Sequence, residues 1–403
     1  MAVTNLSKMM AQFAKHNYGK SSIKLVTLLA CACATVAVTL PLTAAVLPED
    51  QFDALLHHYE GGGISIEGPS ILLRKQVSSN TSVSANYYVD AISSASIDVI
   101  TSASPYSEER TEHSIHVNYL HDKSILSAGY INSEENDFEA QSVYFNVSQD
   151  MFGDLTTLSM GYAKGQDDVF RTVKLNGVSQ RDSTFSDEAD RQNFKIGLSQ
   201  ILTKDLITSI NYELITDKGY LNNPYRLVRF TGGGSAEENY PKTRSSNAAS
   251  LSAKYYLPYR AALQGTIRLF SDTWGIKAHN YELGYTHPIE QNWVFGGFFR
   301  KYSQSQADFY RDLFDPFTTY TYMARDKELS TYDSWALGLE ASYELRTSNW
   351  SFIDKGSFNL KYTRLNFDYE NFSNLYEVSQ PTGNEASYGF YATVIQAYLS
   401  ISY

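Results

Sequence analysis

Residues 390–403 read FYATVIQAYLSISY. Tyr391, Thr393, Ile395, Ala397, Leu399, Ile401 and Tyr403 fall on one face of this stretch, and Ala392, Val394, Gln396, Tyr398, Ser400 and Ser402 on the other. A period of two specifies a strand. A strand of this kind at the end of a chain is expected to close a barrel against the first strand.

Working back from it, the same alternation recurs. Val83, Ala85, Tyr87 and Val89 alternate with Ser84, Asn86, Tyr88 and Asp90; Ile115, Val117 and Tyr119 alternate with Ser114, His116 and Asn118. Phe194, Ile196 and Leu198 stand against Lys195, Gly197 and Ser199, and Ile210, Tyr212 and Leu214 against Ser209, Asn211 and Glu213. Comparable runs cover 251–257, 263–270, 277–287, 293–300, 335–346 and 357–366, giving about 16 strands in an all-β, antiparallel, up-and-down transmembrane barrel. The piece 52–67 is the least regular and reads as a glycine-bent first strand, with 70–77 as the second.

Connections test this reading independently. The turns at 78–80, 121–123, 151–154, 203–205, 257–260, 290–292 and 347–349 are short and belong on one side, taken as periplasmic. Those at 94–112, 165–189, 218–246, 311–332 and 372–385 are long, polar and belong on the other. A soluble sandwich gives no reason for that asymmetry.

The first part of the chain is read separately. Lys8, Lys15, Lys20 and Lys24 precede an apolar run, 25–40, and the small residues Thr43-Ala44-Ala45. That is the pattern of a secretory signal over 1–45, leaving a barrel over 46–403; an N-terminal anchor and a lipoprotein signal at Cys31 are the alternatives. Both cysteines, Cys31 and Cys33, lie in this leader, so disulfides, thiolate metal sites and a cysteine nucleophile are not expected in the barrel. The net charge of −11 becomes more negative when the leader lysines are removed, which argues against a nucleic-acid partner. A count of 31 tyrosines with 10 prolines suits a membrane barrel.

Catalytic motifs are scarce. No G-x-S-x-G, H-E-x-x-H or phosphate loop occurs, so no enzyme activity, cofactor or metal is expected. His57-His58 and His113-x-x-His116 place their members on opposite faces, which prevents either pair from sharing a metal. His116 points inward and is the base that a barrel hydrolase, the least favoured reading, would use. The inward charges are Lys195, Lys254, Arg268, Arg300 and Lys361 against Asp90, Glu213, Glu282, Glu340 and Glu344. They form either opposed ladders that orient a solute or salt bridges between neighbouring strands. The loop at 94–112, with Ile97, Asp98, Glu108, Glu109 and Arg110, is expected to fold inward as a constriction; extra strand above the membrane is the alternative. The acidic run 132–137 (NSEEND) reads as solvated, or as a site where divalent cations bridge lipopolysaccharide.

Four segments carry a family resemblance: HHYEGGGISIEGPSILLRK (57–75), SANYYVDAISSASIDVITSASPYSEERTE (84–112), GYINSEENDF (129–138) and SQDMFGDLTTLSMGY (148–162). They resemble a family of uncharacterised Gram-negative outer-membrane proteins defined only as a domain of unknown function. The resemblance implies an outer-membrane barrel among lipid and lipopolysaccharide. It also implies genes near a flavin transferase, a small lipoprotein and a thioredoxin-like protein, and so a periplasmic lipoprotein or redox partner. It supplies no catalytic residues. The chain ends in Tyr403 where the usual assembly signal has Phe, and has Tyr398 near that signal's glycine; recognition by the barrel assembly machinery is still expected. A channel or export conduit is the leading reading, and a non-conducting scaffold the alternative.

Overall fold

The computed structural model describes residues 46–94, 106–175, 178–345, 353–376 and 381–403. The expected leader, like Ile97 and Asp98, lies outside them. The first strands are β1 (Gln51–Gly61), β2 (Ile64–Ser78), β3 (Thr81–Ser94), β4 (Tyr106–His121), β5 (Ser124–Glu134) and β6 (Phe138–Met151). Next come β7 (Thr156–Leu175), β8 (Val178–Thr203), β9 (Leu206–Gly219), and the short β10 (Leu227–Arg229) and β11 (Ser235–Glu237). The remainder are β12 (Thr243–Tyr256), β13 (Ala262–Asp272), β14 (Lys277–Ile289), β15 (Trp293–Gln304), β16 (Tyr332–Leu345), β17 (Lys355–Ser373) and β18 (Ser387–Ser402).

Sixteen of these strands form one closed antiparallel barrel, while β10 and β11 pair only with each other. The terminal stretch is β18, and its register with β1 runs from Gln51↔Ser402 to Gly61↔Ala392. Closure leaves no strand edge, so each ladder group of the wall finds a partner inside the protein, as hydrocarbon requires. Leu56, Leu73, Ile115, Phe145, Met160, Ile210, Leu251, Leu269, Leu283 and Phe358 stand exposed on the outer surface, and Tyr130 and Tyr162 mark the end of this apolar belt. Two positions further along the same faces come the polar Asn132 and Lys164.

Three expectations need correction. The irregular 52–67 piece is not one bent strand; Gly62 and Gly63, both with positive φ, make the tight outer turn between β1 and β2. Nor is 165–189 a loop: β7 and β8 continue as a two-stranded ribbon after pairing with β6 stops at Phe138↔Val169 and with β9 at Ala189↔Gly219. Glu108, Glu109 and Arg110 lie on β4 rather than in a constriction loop. Runs of polar residues disguised both extensions, because strands above a membrane have no oil to face.

The outer connections form a folded cap. Asn239 and Met323 exchange backbone hydrogen bonds of 2.9 and 2.8 Å, and Phe314 N donates to Arg229 O at 3.0 Å. Tyr240, Trp274, Ile276, Ala307, Tyr310, Ala324 and Leu329 make an apolar core beneath them. A second core lies on the inward face of the seam strands, where Tyr59, Ile66, Tyr332, Leu365, Phe367, Tyr369 and Tyr388 pack together. On that wall, aromatic side chains take the space that water would otherwise fill.

Candidate functional site: the inner wall of the barrel

All eleven inward candidates stand on the lumenal face, each flanked along its strand by outward side chains. Lys195 and Glu213 are directly opposed on β8 and β9, with Nζ 2.9 Å from Oε1, and Arg268 Nη2 reaches the other Glu213 oxygen at 3.3 Å. Asn193 donates a further hydrogen bond to Glu213 at 2.7 Å. Glu282 faces Arg300 across β14 and β15, and Glu340 faces Lys361 across β16 and β17. Strand tilt carries a row of paired residues outward by about one residue per strand. Arg268, Glu282 and Glu340 each sit further inward along their strands than the row beginning at Lys195, which offsets the climb. Lys195, Glu213, Arg268, Glu282, Arg300, Glu340 and Lys361 therefore form a level girdle of alternating sign around half the lumen.

The remaining candidates stand apart. Lys254 has no acidic partner among the described residues, and its Nζ lies 5.8 Å from the centre of the Tyr256 ring. Glu344 sits near the inner turn, where its backbone N donates to Asn292 O at 2.7 Å. Asp90 is opposed to Arg110, at 2.6 Å, in a pair that is almost wholly buried, with side chains 2% and 4% exposed. His57 Nε2 lies 2.7 Å from Asp90 Oδ1, and the Tyr88 hydroxyl donates to the same oxygen at 2.5 Å. Arg110 sits over the Tyr88 ring, which stacks on His57.

This cluster is hidden in the sequence, where Arg110 falls in a stretch that reads as a loop and His57 stands next to the outward His58. The signal available was parity: His57, Tyr88, Asp90 and Arg110 all fall on inward positions. His57 thus has an acid and a hydroxyl within reach, the arrangement required of a barrel hydrolase. The hydroxyl is a phenol already committed to Asp90, however, and both residues are buried. His116 touches the Ser114 hydroxyl at 3.0 Å and the Tyr144 hydroxyl at 2.7 Å. These contacts tie β1, β3, β4 and β6 together.

Metal-type donors gather once among the described residues. Glu108, Glu135 and Asp137 bring carboxylate oxygens within 4.8 Å of one another, outside the apolar belt. Asp137 accepts the Tyr225 hydroxyl at 2.6 Å, and Arg181 of the ribbon donates to Asn136 O at 2.7 Å. The 132–137 run is thereby tied to the cap. Glu109 points outward and is exposed.

A second set that the sequence did not suggest clasps the cap. Asp312 binds Arg229 and also Arg325 at 3.0 Å, while Arg229 holds Glu385. Ser373 donates to Asp312 from its hydroxyl at 2.8 Å and its backbone N at 3.1 Å. Burial pushes the Asp312 carboxyl up, but Arg325 and Arg229 outweigh it and hold the group below its ordinary range. Hydrogen bonding to Arg229 lowers Glu385 likewise.

A family model described as "Protein of unknown function (DUF3570)" matches residues 96–403. The chain belongs to the DUF3570 family. No curated protein matches it. Solved structures resembling this DUF3570 barrel include a bacterial polysaccharide outer membrane secretin, at 7% identity and a TM-score of 0.47, covering 89% of this chain and 100% of that one. The siderophore receptor PirA from Acinetobacter baumannii is 10% identical with a TM-score of 0.45, covering 88% of this chain and 60% of the receptor. The outer membrane protein opdK from Pseudomonas aeruginosa is 10% identical with a TM-score of 0.40, covering 87% of this chain and 99% of that one. What those proteins carry or bind says nothing about DUF3570.

Proposed function

We propose that this protein is a conduit for polar solutes in the outer membrane of a Gram-negative bacterium, with its outer mouth covered by the loop cap. The carrying observation is the access of solvent to one side of the girdle: the side chains of Lys195, Glu213 and Arg268 are 31%, 21% and 32% exposed inside a closed wall, whereas Arg300 and Lys361, beside the aromatic wall, are buried. Were the lumen filled throughout, the first three would be as buried as Asp90. The apolar outer belt and the sealed ladder favour a membrane address, among lipid and lipopolysaccharide and after insertion by the assembly machinery.

Planar-bilayer recording tests the reading. A small steady current is expected from the intact protein and a larger one from Arg325→Ala, which releases one side of the clasp. Folded, inserted protein that is silent in both forms and passes no solute would overturn it. A second, non-enzymatic reading is a scaffold, favoured by the aromatic packing on the seam wall. On that reading the short-turn end holds a periplasmic lipoprotein or redox partner, recoverable by crosslinking.

A further inference from the structure

Just inward of the girdle, β6 to β12 carry a wall of a different character. Asn146 is directly opposed to Gly161, and Asn211 to Gly197. Each amide lies across its glycine: a Cβ at Gly161 would sit 2.2 Å from Asn146 Oδ1, and one at Gly197 would sit 2.6 Å from Asn211 Oδ1. Ser148 and Ser250 extend the patch on either side. These four side chains are half-buried and make no side-chain hydrogen bond to another described residue. The patch thus offers uncharged donors and acceptors to whatever occupies the lumen, next to Tyr144, whose hydroxyl is already held by His116.

We infer that the passage takes uncharged, hydroxylated solutes, recognised by Asn146 and Asn211. This rests on the conduit reading and names its substrate class. Lys254 apart, an ion that sheds water here meets charges already cancelled by neighbours one strand away, so little Coulomb gain replaces its hydration. A polyol loses little, because each hydroxyl both donates and accepts, and an amide returns the hydrogen bonds it gave up to water. Glycine at 161 and 197 is what allows the amides to lie flat and leaves room beside them.

The test uses the full-length protein and its Arg325→Ala form in liposomes and planar bilayers, with sucrose and KCl as probes. Sucrose uptake and a reversal potential near zero in a KCl gradient are expected. Asn146→Leu/Asn211→Leu should reduce sucrose uptake several-fold while leaving KCl current nearly unchanged, with heat-modifiable migration confirming that the variant is folded. A current strongly selective for one ion sign, without sucrose uptake, would overturn the inference and leave the conduit standing. Unchanged sucrose uptake in the double variant would overturn the assignment to the two amides. Silence in every form would overturn the conduit reading and this inference with it.

Discussion

At the scale of single residues, the same charge has different worth at different depths. Asp90 and Arg110 are sealed in the wall, so Arg110→Met leaves a buried carboxylate without its cation and should cost about 3–5 kcal/mol. Lys195→Met, at a solvated position of the girdle, should cost less than about 1 kcal/mol. Urea unfolding of lipid-reconstituted protein measures both; equal losses would show that the two sites share one environment. Parity makes a second prediction. Leu251 is half-exposed to the outside near mid-belt, and Leu251→Arg should cost about 2–4 kcal/mol of insertion free energy. Ser250→Arg, one position along and facing inward, should insert normally. Parity is also why the inward charges were legible from sequence: alternation fixes the side of the wall whatever the neighbours are. It does not fix partners, so Arg110 reads as a loop residue although it stands opposite Asp90.

At the scale of elements, the strands were legible wherever they cross oil and illegible above it. β9 and β12 show one apolar and one polar face; the outer halves of β7 and β8 are largely polar on both, and only pairing in three dimensions makes them strands. β17 and the outer half of β18 break the rule differently, since Leu365, Phe367, Tyr369, Tyr388, Ala392 and Val394 face inward and are apolar. β16, the partner of β17, meets this filled wall through Gly338, where a Cβ would lie 1.9 Å from the Phe298 ring. Lys361 Nζ sits 5.0 Å above the same ring. Gly338→Leu must expel Phe298, and should destabilise the barrel by about 1–3 kcal/mol and disturb the Glu340–Lys361 pair. An unchanged unfolding midpoint would mean that the ring has room to move.

At the scale of the whole molecule, three loop systems close one end of the cylinder through a few ion pairs. Because the folded Asp312 carboxyl lies below its ordinary 3.8, its contribution is present above that pH and is lost as the pH falls through and below it. Glu385 shifts in the same direction. The cap should stay shut at neutral pH and loosen only in strong acid. Current that rises when the outer chamber alone is acidified below about pH 4 is the expected result; flat current there would place the gate elsewhere. None of this could be read from sequence, since Arg229, Asp312, Arg325 and Glu385 lie in segments with no period and meet only when the barrel brings their strands round.

The girdle has an electrical consequence. A membrane potential acts on a protein through charge displaced along the field, at about 2.3 kcal/mol per elementary charge per 100 mV. Here each positive group is held at the same height as a negative neighbour, so sliding a pair along the axis moves almost no net charge. Steady current should therefore grow in proportion to applied voltage, without the abrupt closures that potential imposes on pores with separated charges.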